Sequence, residues 1–219
     1  MIHHLKYLHT KILDIIAPPF CLSCKIFLRQ DDVLCLSCRR EIKPVVSRSI
    51  VITKTTSMPV LAIGAYAQPL RSLILAKSHS NRAVSYQLGK LVWELSYIRN
   101  AEFDIIVPVP LHWTRYAWRG YNQAHVMAEV ISEKTGKPII SLLKRMKRTP
   151  YQSEVKGVQR IQNVKDIFML TKHYQEHANK KILLVDDLMT TGATLQSAAK
   201  KLMRLKPEKL TAIVAARVI

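Results

Sequence analysis

Along this chain, short unbroken apolar runs alternate with stretches in which apolar side chains recur every three or four residues. That is the pattern of strands buried on both faces of a parallel sheet, interleaved with helices. Ile182, Leu183, Leu184 and Val185 form the plainest run, Phe103 to Val109 a second, and Val60 to Ala67 and Leu210 to Ile219 two more. Val84, Leu88, Leu91, Val92, Leu95 and Ile98 mark one face of a helix that Ser80 or Asn81 is placed to cap. Ala124, Met127, Ala128 and Ile131 mark another that ends at Gly136, and further helical turns are predicted over Pro69 to Ala76 and from about Ala193 to Leu205. At the N-terminus Ile2, Leu5, Leu8, Ile12 and Ile15 keep helical spacing among His3, His4, Lys6, His9 and Lys11. This short amphipathic helix either packs on its own protein or lies on a membrane surface, and Pro18 and Pro19 stop it. Pro44 to Met58 is polar with little periodicity. The pattern predicts an α/β domain over residues 59–219, doubly wound on a mostly parallel sheet, with a linker over 46–58 and a small module over 1–45.

A length of 219 residues and 48% hydrophobic content suit one such domain and an appendage. No apolar run approaches the roughly 18 residues that span a bilayer, and no signal-peptide centre or cleavage site stands at the N-terminus. A cytoplasmic location is expected, with peripheral attachment at the inner membrane left open by the basic amphipathic start. Net charge changes the picture more. Thirty-four Lys and Arg against 15 Asp and Glu give +19, a field that favours polyanionic partners, although a generally basic proteome explains part of such an excess.

Cys21-x-x-Cys24 and Cys35-x-x-Cys38 use every cysteine in the chain. Two such turns can close a tetrahedral tetrathiolate zinc site with bonds of about 2.3 Å, and four thiolates leave no open position for catalysis, so the metal is structural. Two disulfides are the competing reading, disfavoured in a reducing cytosol. Removing zinc should disorder this ribbon and spare the domain beyond Pro59.

The apolar run at Ile182 to Val185 ends in Asp186 and Asp187, which are costly to keep ionised and unpaired there and so face a polar ligand or a metal at the carboxyl edge of the sheet. Thr190, Thr191, Gly192, Ala193 and Thr194 follow. Small and hydroxylated residues let backbone N–H groups approach an anion, and the following helix turns its positive end to the same point. The plainer alternative is an N-capped helix with surface aspartates, but a cap needs only one acid or hydroxyl.

V-D-D-x-x-T-T-G-A-T resembles the motif with which type I phosphoribosyltransferases bind 5-phosphoribosyl 1-pyrophosphate (PRPP). The resemblance implies that Asp186 and Asp187 take the ribose 2′ and 3′ hydroxyls, as catalytic and binding residues, and that Thr190 to Thr194 hold the 5-phosphate. It also implies a Mg²⁺ ion between ribose and pyrophosphate. Adding the four cysteines, V-P-V-P-L-H…R…R-G-Y-N-Q-A, and the later R-T-x-x-Q and R-x-x-N-V patterns, the chain from about residue 18 onward resembles the competence protein F (ComF) family. These are phosphoribosyltransferase-like proteins with a zinc ribbon, associated with DNA uptake in naturally transformable bacteria. From that family, Pro110, Leu111, His112, Arg115 and Arg119 are expected in a pyrophosphate loop, and Arg148, Gln152, Arg160 and Asn163 in a mobile loop. Lys144, Arg145, Lys147, Arg148 and Arg160 belong to the most basic stretch of the chain. That stretch is either a lid over pyrophosphate or a track for a nucleic-acid backbone. The implied partners are PRPP, single-stranded DNA and DNA-uptake proteins at the inner face of the membrane. The implied function is handling of incoming single-stranded DNA, with phosphoribosyl transfer left open; the alternative is a nucleotide-salvage transferase with no DNA role.

Overall fold

The computed structural model describes residues 20–28, 32–76, 82–146 and 167–219. The expected N-terminal helix, the cap at Ser80 or Asn81, and Lys147, Arg148, Gln152, Arg160 and Asn163 lie outside the described residues. Strands β1 (Arg48–Val51), β2 (Ser57–Ala65), β3 (Ile105–Pro108), β6 (Lys181–Met189) and β7 (Lys209–Arg217) form one sheet in the order β1-β2-β7-β6-β3. All neighbours run parallel except the β1–β2 hairpin, with Val60 opposite Ala212, Leu184 opposite Ala212 from the other side, and Val107 opposite Leu184. This is the mostly parallel α/β sheet that the apolar runs predict. A separate antiparallel pair, β4 (Leu143–Arg145) and β5 (Phe168–Leu170), stands beside it.

Two boundaries differ from expectation. The stretch expected to be only a linker contains β1, which hydrogen-bonds β2 with Ser49 opposite Pro59. An edge strand has one strand neighbour and here is largely exposed, so it carries no apolar run to announce it. β6 continues past Val185 to Met189, because Asp186, Leu188 and Met189 remain paired with Val214, Ala216 and Arg217 of β7. The two acids therefore lie within the strand.

Helices cover both faces. On one lie α2 (Leu70–Ala76), α3 (Arg82–Leu95) and α5 (Gln123–Thr135), whose Leu73, Leu88, Val92, Met127 and Ile131 pack with Leu183, Val185 and Ile213 of the sheet. On the other, α6 (Ala193–Leu202) sets Leu195, Ala198 and Leu202 against Ile182, Leu184 and Val214, together with Phe168 of β5. Alternate residues of β6 thus serve opposite cores, as the period of two requires. The last turn expected in α6 is a tighter 3₁₀ turn, Met203–Leu205, ended by Lys206 at φ 49°.

The cysteine module is joined to the first of these cores. Cys21, Leu28, Leu34, Cys38 and Ile42 are buried in the same cluster as Ile63, Leu70, Leu73 and Leu88. Arg39 of α1 (Leu36–Arg40) pairs with Glu94 of α3. At Gly64 an added Cβ would lie 2.9 Å from the Lys43 carbonyl and 2.9 Å from Leu70 Cδ1, so only glycine admits the chain leaving the module.

Candidate functional site

The carboxyl end of β6 carries the acids. Because they are successive strand residues, they point to opposite faces. Asp187 is buried on the α5 side, where Gln123 Nε2 donates to its Oδ2 at 3.4 Å. Asp186 is half-buried on the side of Ile182 and Leu184, and its Oδ1 accepts from the Asp187 N–H at 2.9 Å. Its neighbours are cationic. Arg145 of β4 feels its charge, and burial first and then the charge of Arg115 push the Arg145 guanidinium below its ordinary value while Asp186 pulls it back.

Beyond Met189 the chain turns through Thr190 and Thr191 into α6. Gly192 takes φ 81° at the N-cap, with no side-chain cap bond, and an added Cβ there would lie 2.9 Å from Ile50 Cδ1 of β1. Thr191 Oγ1 accepts from the Ala193 N–H at 3.4 Å, and Gln196 closes the first turn on the Gly192 carbonyl at 2.8 Å and donates from its side chain to Val51 O at 2.6 Å. The loop from Thr190 to Thr194 is therefore seated on β1 and leads from the strand that carries the acids into the N-terminus of α6. An anion beside a diol is what such an edge can take.

The segment after β3 is shorter and more structured than a pyrophosphate loop drawn through Arg119. Pro110 and Leu111 are loop, but His112 caps α4 (Trp113–Arg119): its Nδ1 lies 2.9 Å from Thr114 Oγ1 and accepts from the Thr114 N–H at 3.4 Å. Arg115 and Arg119 stand on that helix, Arg119 buried, and Gly120 at φ 76° ends it. A polar side chain able to accept from the N–H two residues on starts a helix here, and the charge pattern did not reveal it. Asn122 then caps α5 through a 3.1 Å bond from the Ala124 N–H and holds Val109 O at 3.0 Å, fixing the Pro108–Pro110 turn next to Val185. Of the basic stretch, Lys144 is exposed and Arg145 half-buried near Asp186. Three contributors went unnoticed as site residues: Gln123, Asn122 and Ile50. Gln123 and Asn122 lie in the R-G-Y-N-Q-A motif, while nothing in the sequence marks Ile50.

The four cysteine sulfurs lie within 4.8 Å of one another, with Cys24 Sγ and Cys35 Sγ 3.6 Å apart. A disulfide needs about 2.05 Å, whereas a tetrahedral metal with bonds of about 2.3 Å sets its sulfurs roughly 3.8 Å apart. All four are free thiols. Burial, then the neighbouring sulfur of Cys24, push Cys38 up to about 12, while at Cys21 the effect of burial is outweighed by N–H bonds from Cys24, Cys35 and Ser23 that bring it down to about 6. Four thiolates cannot share this space without a cation among them, so the donor set fits a closed structural metal site.

Comparison with known proteins agrees with this geometry. The phosphoribosyl transferase domain family matches residues 109–218, and the chain belongs to that family. It is 32% identical over 161 residues to competence protein F of Haemophilus influenzae, covering 69% of each chain. It is 38% identical over 99 residues to competence protein ComFC of Bacillus subtilis, covering 45% of this chain and 38% of that one. It is 28% identical over 197 residues to DNA utilization protein YhgH of Escherichia coli, covering 84% of each. The competence protein F resemblance carried by the motifs is borne out. Among the described residues no helix is long and apolar enough to cross a membrane.

Proposed function

We propose that this chain binds PRPP with Mg²⁺ at the carboxyl edge of β6 and handles incoming single-stranded DNA in the cytoplasm during natural transformation, with zinc in the cysteine module. The observation that carries the reading is the join of Asp186 and Asp187 to the Gly192 turn. Two carboxylates near the end of β6 and the N-terminus of α6 that follows it are suited to a ribose diol and a 5-phosphate. Bound Mg²⁺ would supply charge neutralisation between the diol and the pyrophosphate. Arg145, whose charge is influenced by both Asp186 and Arg115, would meet the pyrophosphate together with Arg115, with Pro110 and Leu111 forming the turn next to it. Relatives named for competence and for DNA utilization support the DNA role, as does the charge of +19. DNA-uptake proteins at the inner face of the membrane are the protein partners this reading implies.

A second reading, a nucleotide-salvage phosphoribosyltransferase with no DNA role, is favoured by Arg145, which faces Asp186 from a half-buried position. Two titrations separate the readings. Oligothymidylate binding should weaken with salt at a log–log slope of about −0.7 per phosphate contacted. Replacing Lys144, Lys147 and Arg148 with Ala should flatten that slope and leave Mg²⁺–PRPP affinity intact, whereas Arg145→Ala should weaken PRPP. Loss of PRPP binding in the triple variant with DNA binding unchanged would favour the salvage enzyme.

A further inference from the structure

Helix α4 exposes three aromatic rings in seven residues: Trp113 is 71% exposed, Tyr116 54% and Trp118 66%. Each could remove some 150–250 Å² from water if packed, so a short helix that leaves all three outside holds surface that a partner can cover. Trp113 and Tyr116, three residues apart, line an open cleft of about 870 Å³ whose other walls include Tyr121, His125, Lys144 and Arg145. Arg115 and Trp118, also three apart, share the other side of the helix, away from the cleft. The cleft's acid, Glu129, is paired with Arg82. Flat rings beside cations match a ligand with π-faces and a phosphate backbone, and only a single strand offers both, since the bases of a duplex are stacked on one another.

We propose that α4 and the cleft beneath it form a base-stacking platform for single-stranded DNA, with Trp113 and Tyr116 taking bases and Lys144 the backbone. The proposal rests on the DNA-handling reading and gives it a location. Trp113 and Tyr116 lie about 4.5 Å apart along the helix axis at 1.5 Å per residue, close to the 3.4 Å step of neighbouring nucleotides. Pro110 and Leu111 border both this cleft and the end of β3 beside β6, so a strand on the platform would lie next to the PRPP site.

The test is binding of labelled oligothymidylate to Trp113→Ala, Tyr116→Ala and the corresponding Phe variants, with Mg²⁺–PRPP affinity and circular dichroism as checks on folding. Each Ala change should weaken binding roughly five- to hundredfold at every salt concentration without altering the salt slope, and Phe should restore most of it. One of the three tryptophans, Trp113, belongs to the platform, so intrinsic fluorescence should be partly quenched by the oligonucleotide, and far less by thymidine monophosphate or duplex DNA. Well-folded Ala variants that bind the oligonucleotide like the parent overturn the platform while leaving DNA handling standing. A parent that binds no oligonucleotide at low salt removes both. Trp113→Ala that dissolves a dimer without loss of DNA affinity, or a Trp113 shielded from a neutral quencher in the free protein, overturns the proposal in favour of a second copy or of this chain's own segments.

Discussion

Gly192→Ala isolates what the phosphate turn owes to one backbone position. Gly192 sits at φ 81°, where a side chain costs about 1–2 kcal/mol, and its new Cβ would lie 2.9 Å from Ile50 Cδ1, forcing that flexible end off its rotamer for about 0.5–1.5 kcal/mol more. The sum is about 1.5–3.5 kcal/mol, or roughly 3–14 °C in Tm at about 2–4 °C per kcal/mol for a chain of this size. Gly136 supplies the control, because it has φ 69° at the end of α5 and nothing within 4 Å of an added Cβ. Gly136→Ala should therefore lose only the backbone share, about 1–2 kcal/mol, and bind Mg²⁺–PRPP like the parent. Gly192→Ala should also lose about tenfold or more in PRPP affinity, since turning one N–H away from a phosphate forfeits a charge-assisted bond of about 1.5–3 kcal/mol. Adding Ile50→Val should recover the steric share of stability in a double-mutant cycle without restoring affinity. Differential scanning calorimetry and titration calorimetry measure both quantities. Unchanged PRPP affinity in Gly192→Ala, or equal losses of affinity in Gly192→Ala and Gly136→Ala, would refute the assignment of this turn to the phosphate.

Asp187→Asn should weaken Mg²⁺–PRPP by about 1.5–3 kcal/mol, tenfold or more, because a neutral amide oxygen is a weaker acceptor than the carboxylate; calorimetry giving equal affinities for variant and parent would remove the acid from the site. Stripping zinc with a chelator, or Cys38→Ser, should lower the stability of the whole domain and not of the ribbon alone, since Cys21, Leu34 and Cys38 share a core with Leu70, Leu73 and Leu88. Hydrogen exchange should then quicken in α2 and α3, and an unchanged melting curve for the α/β domain would show that the module folds independently.

The strands, the longer helices, the cysteine cluster and the acid–threonine turn were legible because each is carried by local pattern: an apolar run, a 3.6-residue period, a C-x-x-C spacing, a motif. What escaped depends on distant partners. β1 is short and largely exposed, and becomes a strand because β2 offers its edge; its Ile50 forms the floor under Gly192. The run Ile182 to Val185 suggested a strand ending before the acids, whereas pairing with Val214, Ala216 and Arg217 carries β6 on to Met189. That extension changes the chemistry of the site. With both acids in one strand, they cannot act as a symmetric clamp from one side. Asp187 is held by Gln123 within the layer of α5, whereas the charge of Asp186 acts on Arg145 of β4. In the proposed PRPP complex the ribose would therefore lie over the strand's end, where the faces meet, and the pyrophosphate on the side of Asp186. Arg145, which by sequence belonged with the exposed DNA-directed charges, is drawn by this geometry toward the PRPP pocket, leaving exposed Lys144 on the same strand for a polyanion outside it.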